Sequence, residues 1–222
     1  MEKILAGVRN FRQNVYPERQ EQFEQLAQRK QKPMALFITC SDSRVNPNLI
    51  TGTDPGELFL IRNAGNLVPP YGAQSGGEIA TIEYALNVLN IKNIIICGHS
   101  QCGAMHAMLH QAQLENLPAV RAWFQHAEAT RQIVNTKYQH LDPESLAVAA
   151  VEENVLVQLN NLSTHPTVAA RLATGDVHVF GWYYDIGSGA VYQYDQGSGE
   201  FHELDGTLVA AAPLPIRSNS VT

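Results

Sequence analysis

Two short polar segments hold residues able to do chemistry: Cys40-Ser41-Asp42-Ser43-Arg44 and Gly98-His99-Ser100-Gln101-Cys102-Gly103. Two thiols and an imidazole are soft or borderline donors, the set that suits zinc. His99 and Cys102 are separated by two residues, so one turn can present both to a single ion, while Cys40 has to arrive from another element. Three protein ligands leave a fourth tetrahedral position open, as in catalytic zinc sites. Against this stands the frequency with which cysteines are simply buried; an isolated H-x-x-C is a weak signal. Asp42 and Arg44 sharpen the reading. An aspartate paired with an arginine stays ionised and only accepts hydrogen bonds, so beside a metal it would orient a bound water, whereas on an open surface the pair is worth little. Zinc lowers the pKa of its water to about 7, which makes hydroxide available as a nucleophile at neutral pH. Small electrophiles such as carbon dioxide are its natural targets.

Positioning these residues requires strands. Apolar runs at 35–39, 58–62, 93–97 and 177–184 read as buried strands, and the two polar segments directly follow the first and third. Helical patterns cover 75–89, about 104–111, about 119–136 and 143–162. Gly187-Ser188-Gly189 turns the chain into 190–194, read as a hairpin partner on the sheet edge. The expected fold is therefore α/β, a mostly parallel central sheet flanked by helices, with an antiparallel edge strand. Ligand sites in such sheets lie at the carboxyl ends of strands, where both polar segments fall. Ahead of the sheet, Ile4, Leu5, Val8, Phe11 and Val15 share one helical face; Pro17 is expected to end that helix and start another over 18–30. These helices form either an arm that wraps a partner subunit or a layer on their own domain. The expected organisation is an N-terminal helical arm over 1–30, the metal domain over 31–205 and a tail over 206–222.

Charged residues are 16% of the 222, below the usual quarter, and 45% are hydrophobic. A surface so sparing in charge hints at burial against other subunits. With a net charge of −6 and no basic stripe, nucleic acid is not an expected partner. Apolar runs are too short to span a membrane, and residues 1–17 do not read as a signal peptide. Three cysteines without an export signal argue for a reducing, cytoplasmic setting.

Together, Cys40-Ser41-Asp42-Ser43-Arg44-Val45 and His99-Ser100-Gln101-Cys102-Gly103 closely resemble the β-class carbonic anhydrases. Pro55-Gly56-Glu57-Leu58-Phe59, Ile61-Arg62-Asn63-Ala64-Gly65-Asn66 and Gly181-Trp182-Tyr183-Tyr184-Asp185 with Gly189 extend the resemblance over about 31–194. It implies Zn2+ on Cys40, His99 and Cys102, with Asp42 and Arg44 as the dyad beside it. Gln31 falls at a substrate-orienting position. Phe59 and Tyr84 match an apolar pocket that comes from the neighbouring subunit, and Ala64 matches a further pocket position where plant-type members carry a larger side chain. Phe37 stands where members closed by their own aspartate carry Trp, so the resemblance points to the open, plant-like type. It further implies reversible conversion of CO2 to bicarbonate and a proton, a homodimer as the minimal active unit with higher homo-oligomers, and, as in cyanobacterial members, packing in a carboxysome with a shell or scaffold protein.

Other readings share these residues. A hydrolase of COS or CS2 would use the same ligands, and a zinc-stabilised scaffold subunit would need no open position. A redox pair of Cys97 and Cys102 lacks C-x-x-C spacing, and Cys97 reads as core. His106 and His110, at i and i+4, would relay protons or bind a stray metal, or simply form a packed or solvated helix face.

Overall fold

The computed structural model describes residues 1–73, 76–110 and 114–206. The chain divides into two compact units, Met1–Lys32 and the rest from Pro33. The first unit holds helices α1 (Glu2–Asn10), α2 (Tyr16–Glu18) and α3 (Gln20–Gln28). Contrary to expectation, Pro17 does not end the first helix. A π-helical segment, Phe11–Val15, carries the chain into α2, and the break comes at Arg19, where φ is −120°. The widened turn gives room to the proline ring, which in a regular helix would strike the carbonyl four residues back. Phe11, Tyr16 and Phe23 pack together with ring centroids 5.5–6.3 Å apart, while Ile4, Leu5 and Val8 stay exposed.

The second unit runs β1 (Ala35–Cys40), α4 (Pro47–Thr51), β2 (Leu58–Asn63), α5 (Gly77–Asn87), β3 (Asn93–His99), α6 (Gly103–Leu109), α7 (Pro118–Trp123), α8 (Glu128–Lys137), α9 (Pro143–Ser163), α10 (Pro166–Ala173), β4 (His178–Tyr184), β5 (Val191–Asp195) and β6 (Glu200–Glu203). Among the described residues the strands form one sheet in the order β2-β1-β3-β4-β5-β6. The first four are parallel, and β5 and β6 are antiparallel. The expected fold class is met, but β5 is not the edge. Beyond it lies β6, whose Glu-Phe-His-Glu carries no apolar alternation. A turn in which the Asp195 carboxylate accepts from the N–H of Gly197 and Ser198, at 3.0 and 3.1 Å, brings it back to β5.

Two short helices, α4 and α10, also escape a periodicity reading. The first is bounded by local chemistry instead: Asn46 caps it, Pro47 occupies its first turn and Gly52 ends it at φ +63°. The helix expected over 119–136 is interrupted by a 3-10 segment, Phe124–Ala127. There the His126 carbonyl accepts from Gln158 and Asn161 of α9, a tertiary pull that periodicity cannot register. Positions 75 and 111 and the tail beyond 206 lie outside the described residues. Among the described residues, no helix is long and apolar enough to cross a membrane.

Leu36, Ile38, Ile94 and Ile96 form one buried face of the sheet with Ile82 and Leu86 of α5 and Val155 and Leu162 of α9. Phe37, Ile95 and Cys97 lie in a separate cluster with the half-buried Phe180, Trp182 and Tyr184. Helix α9 can approach the sheet closely because two strand positions lack side chains. A Cβ at Gly98 would lie 2.6 Å from Val151 Cγ1, and one at Gly181 would lie 2.8 Å from Val155 Cγ1. We therefore expect Gly98→Ala to cost about 1–3 kcal/mol by overpacking, displacing the strand that carries His99. Urea unfolding at parental stability would show that α9 yields freely.

Candidate metal centre

The sheet order reverses between β1 and β3, which makes their carboxyl ends the topological switch point where open α/β sheets bind ligands. Cys40 ends β1, His99 ends β3, and Cys102 caps α6 three residues later. Gln101 makes that return possible by taking a left-handed conformation, φ +54°, which is uncommon without glycine. All three side chains are buried, and their ligand atoms lie within 4.8 Å of one another.

The two sulfurs are 4.0 Å apart. Zinc–sulfur bonds of about 2.3 Å at tetrahedral angles would set them about 3.8 Å apart, so little movement is needed. The His99 Nδ1 lies 2.9 Å from the Ser100 carbonyl; a carbonyl can only accept, so the proton sits on Nδ1 and the Nε2 lone pair faces the thiols. That Nε2 is buried and has no hydrogen-bond partner. An orphaned imidazole nitrogen beside two thiols fits a divalent metal and has no other evident use. The hydrogen bond from Cys102 lowers the Cys40 thiol; burial opposes this, and the Gly65 and Asp42 backbone lower it further. The same hydrogen bond pushes Cys102 upward.

Asp42 lies beside the cluster, its Oδ2 4.0 Å from His99 Nε2. Arg44 grips it three times: the backbone N–H and Nε donate to Oδ1 at 2.9 and 3.0 Å, and Nη2 donates to Oδ2 at 2.8 Å. The Arg44 side-chain bonds hold the carboxyl well below the usual carboxylate range. Arg44 also donates to the Gln101 carbonyl and side-chain oxygen at 3.2 and 3.3 Å, so the dyad and the His-x-x-Cys turn are tied together.

Several supporting residues escape a sequence reading. Arg62 donates to the carbonyls of Cys40, at 3.0 and 3.1 Å, and Asp42, at 2.8 Å, clamping the loop between ligand and dyad. Gly65, at φ +84°, directs its N–H to Cys40 Sγ at 3.5 Å; a Cβ there would lie 3.0 Å from Met105 Cε. Asn154 donates to the Gly65 carbonyl and Gln158 accepts from the Val68 N–H, at 2.9 and 2.8 Å. These buried amides sit in a helix that reads as apolar, and nothing in their spacing reveals their targets.

The remaining sequence candidates scatter. Ala64 directly follows the end of β2, and its carbonyl accepts from the Trp123 indole at 2.9 Å. Phe59 stacks on Tyr84 with centroids 6.1 Å apart. Register pairs Phe59 with Leu36 and Asn63 with Cys40, so Phe59 stands four residues, about 13 Å, back along the sheet from this subunit's own metal ligands. Gln31 belongs to the first unit and is exposed. His106 and His110 stack on α6 at 4.3 Å and, with Cys102, border an apolar cavity of about 620 Å³ between α6 and α9. Cys97 is fully buried, which pushes its thiol up to about 12, and all three cysteines are free. In the native chain Cys97 should resist iodoacetamide at pH 8 and react only after denaturation. Mass-mapped labelling of folded protein at Cys97 would contradict its place in the core.

Three buried donors at the switch point of a parallel sheet, beside an Asp–Arg pair, make a candidate metal centre on an α/β scaffold. The carbonic anhydrase family profile matches residues 35–191. Carbonic anhydrase of Synechococcus elongatus is 50% identical over 92% of this chain and 75% of its own length, and that of Pseudomonas aeruginosa is 49% identical over 92% of both. The solved β-carbonic anhydrase CcaA superposes with a TM-score of 0.89 at 49% identity, covering 91% of each chain. One of two tetrameric β-carbonic anhydrases of Sordaria macrospora superposes at 0.78 with 27% identity, covering 86% of this chain and 95% of its own. The chain belongs to the β-class carbonic anhydrases.

Proposed function

We propose that this chain reversibly hydrates carbon dioxide on zinc held by Cys40, His99 and Cys102. The observation that carries the reading is the buried, partnerless Nε2 of His99 facing two thiols 4.0 Å apart. Bound zinc supplies the Lewis acidity that makes water a nucleophile at neutral pH. The chain supplies the rest. Asp42, ionised and oriented by Arg44, accepts a hydrogen bond from the reacting water and so directs an oxygen lone pair at carbon dioxide. Both Asp42 oxygens are engaged by Arg44, which would keep the carboxylate from acting as a further metal ligand and supports the open type.

Gln31, Phe59, Ala64 and Tyr84 are the proposed substrate-binding residues. Phe59 and Tyr84 would serve the neighbouring subunit, a reading supported by their distance along the sheet from this subunit's cysteines. A homodimer, assembled further, follows from that arrangement. The tetrameric Sordaria relatives and the exposed apolar stripe of α1 support it, with residues 1–30 as an arm on the partner, 31–205 as the catalytic domain and 206–222 as a tail. Three free thiols favour a reducing, cytoplasmic compartment; carboxysomal packing rests on the resemblance and on two cyanobacterial relatives.

Zinc stoichiometry measured alongside CO2 hydration of the full chain tests the reading. One zinc per chain with hydration is expected. Full zinc without hydration would replace the proposal with a scaffold role, and hydrolysis of COS alone would move the substrate.

A further inference from the structure

We infer that Ser100 and Asp185 are positioning residues for the metal ligand His99, holding it through the turn between β4 and β5. The inference rests on the metal reading above and deepens it. A histidine ligand is oriented by whatever its second ring nitrogen donates to. Here that acceptor is the carbonyl of the very next residue, Ser100, at 2.9 Å. The ring is therefore only as well fixed as the Ser100 peptide.

That peptide is held from the far side. Ser100 N–H donates to the Tyr184 carbonyl at 2.9 Å, continuing the ladder in which His99 pairs with Tyr184. Its hydroxyl accepts the Ile186 N–H at 2.9 Å, which leaves the hydroxyl proton to give. That N–H belongs to the residue directly after Asp185, so the turn that Asp185 closes sets its position; the Ser188 hydroxyl and then the Ser100 hydroxyl also lower the Asp185 carboxyl. Asp185 is itself immobilised. It accepts from the Ser188 hydroxyl at 2.6 Å and from the N–H groups of Gly187 and Ser188 at 3.2 and 3.1 Å, and its backbone N–H and carbonyl close the turn on Ala190 and Gly189 at 2.9 Å each.

On its other side Ser100 leads into Gln101, whose left-handed conformation and carbonyl receive Arg44. A slip of the Ser100 peptide would thus rotate the His99 ring and shift the support of the Asp42–Arg44 pair together. A turn more than 80 residues away in sequence, remote from every ligand, is in this way built into the metal site. A purely structural role for the turn would predict lost fold stability but unchanged metal affinity.

The test uses the full chain and reads zinc affinity by chelator competition, with thermal unfolding of zinc-free protein alongside. Ser100→Ala and Asp185→Asn should weaken zinc by about 10–100-fold, while Ser100→Thr, which keeps the hydroxyl, should stay near the parent. Parental affinity in both Ser100→Ala and Asp185→Asn, whatever happens to the melting temperature, overturns the inference. Should neither fold, Ser188→Ala carries the test. It removes the 2.6 Å bond that orients Asp185, and several-fold weaker zinc supports the inference while parental affinity overturns it. A parent chain that binds no zinc would instead overturn the metal reading itself, so the two failures are separable.

Discussion

Cys102→Ala should leave the chain without bound zinc and reduce CO2 hydration to the uncatalysed level. In the proposed site three buried donors would hold the ion, and two cannot make a competitive site against water and buffer ligands. A metal that binds only the folded state stabilises it by mass action, by about 4 kcal/mol at a thousandfold excess over Kd. Zinc should therefore raise the melting temperature of the parent and leave that of Cys102→Ala unmoved. Metal analysis of the purified variant with calorimetry in the presence and absence of chelator reads both effects. Stoichiometric zinc in Cys102→Ala would remove Cys102 from the ligand set.

Asp42→Asn should keep its zinc but lose about 10²–10³-fold in hydration rate, the scale on which a preoriented hydrogen-bonding group acts in catalysis. The amide is nearly isosteric, so the loop and the three ligands stay in place. It is neutral, however, and can no longer hold Arg44 through two ionic hydrogen bonds or accept the water's hydrogen bond as a carboxylate does. The pH behaviour provides a second check. Arg44 depresses the Asp42 pKa below its ordinary 3.8, so the carboxylate is charged throughout the neutral range. Stabilisation from this depressed carboxyl is present above that ordinary value and lost only as pH falls through the folded one. The acid limb of the parent pH–rate profile consequently reports some other group, and Asp42→Asn should lower the whole profile without moving that limb. A limb that shifts with the substitution, or full activity with full zinc, would contradict the assigned role.

Cys40, His99, Cys102, Asp42 and Arg44, which the fold brings together, could be picked out as candidates in the sequence because donor chemistry and short spacing are local properties. The same holds for the first four strands, which are continuous apolar runs, and for Pro17 as a site of helical irregularity, though not for its outcome. Helix α9 shows where that legibility stops. Its apolar positions announce burial, yet the targets of Asn154 and Gln158 depend on a loop some 90 residues earlier being folded against it.

What the sequence by itself determined is the chemistry: a thiolate–imidazole donor set, an ionised aspartate held by an arginine two residues on, and strands that end where those donors begin. What only the tertiary structure decided is their convergence. The sheet order, reversing between β1 and β3, puts Cys40 4.0 Å from Cys102, and the pairing of β3 with β4 brings the Asp185 turn against Ser100. Strand order and register arise from the packing of whole faces and from close approaches such as Val151 on Gly98, long-range terms that no local window of residues contains.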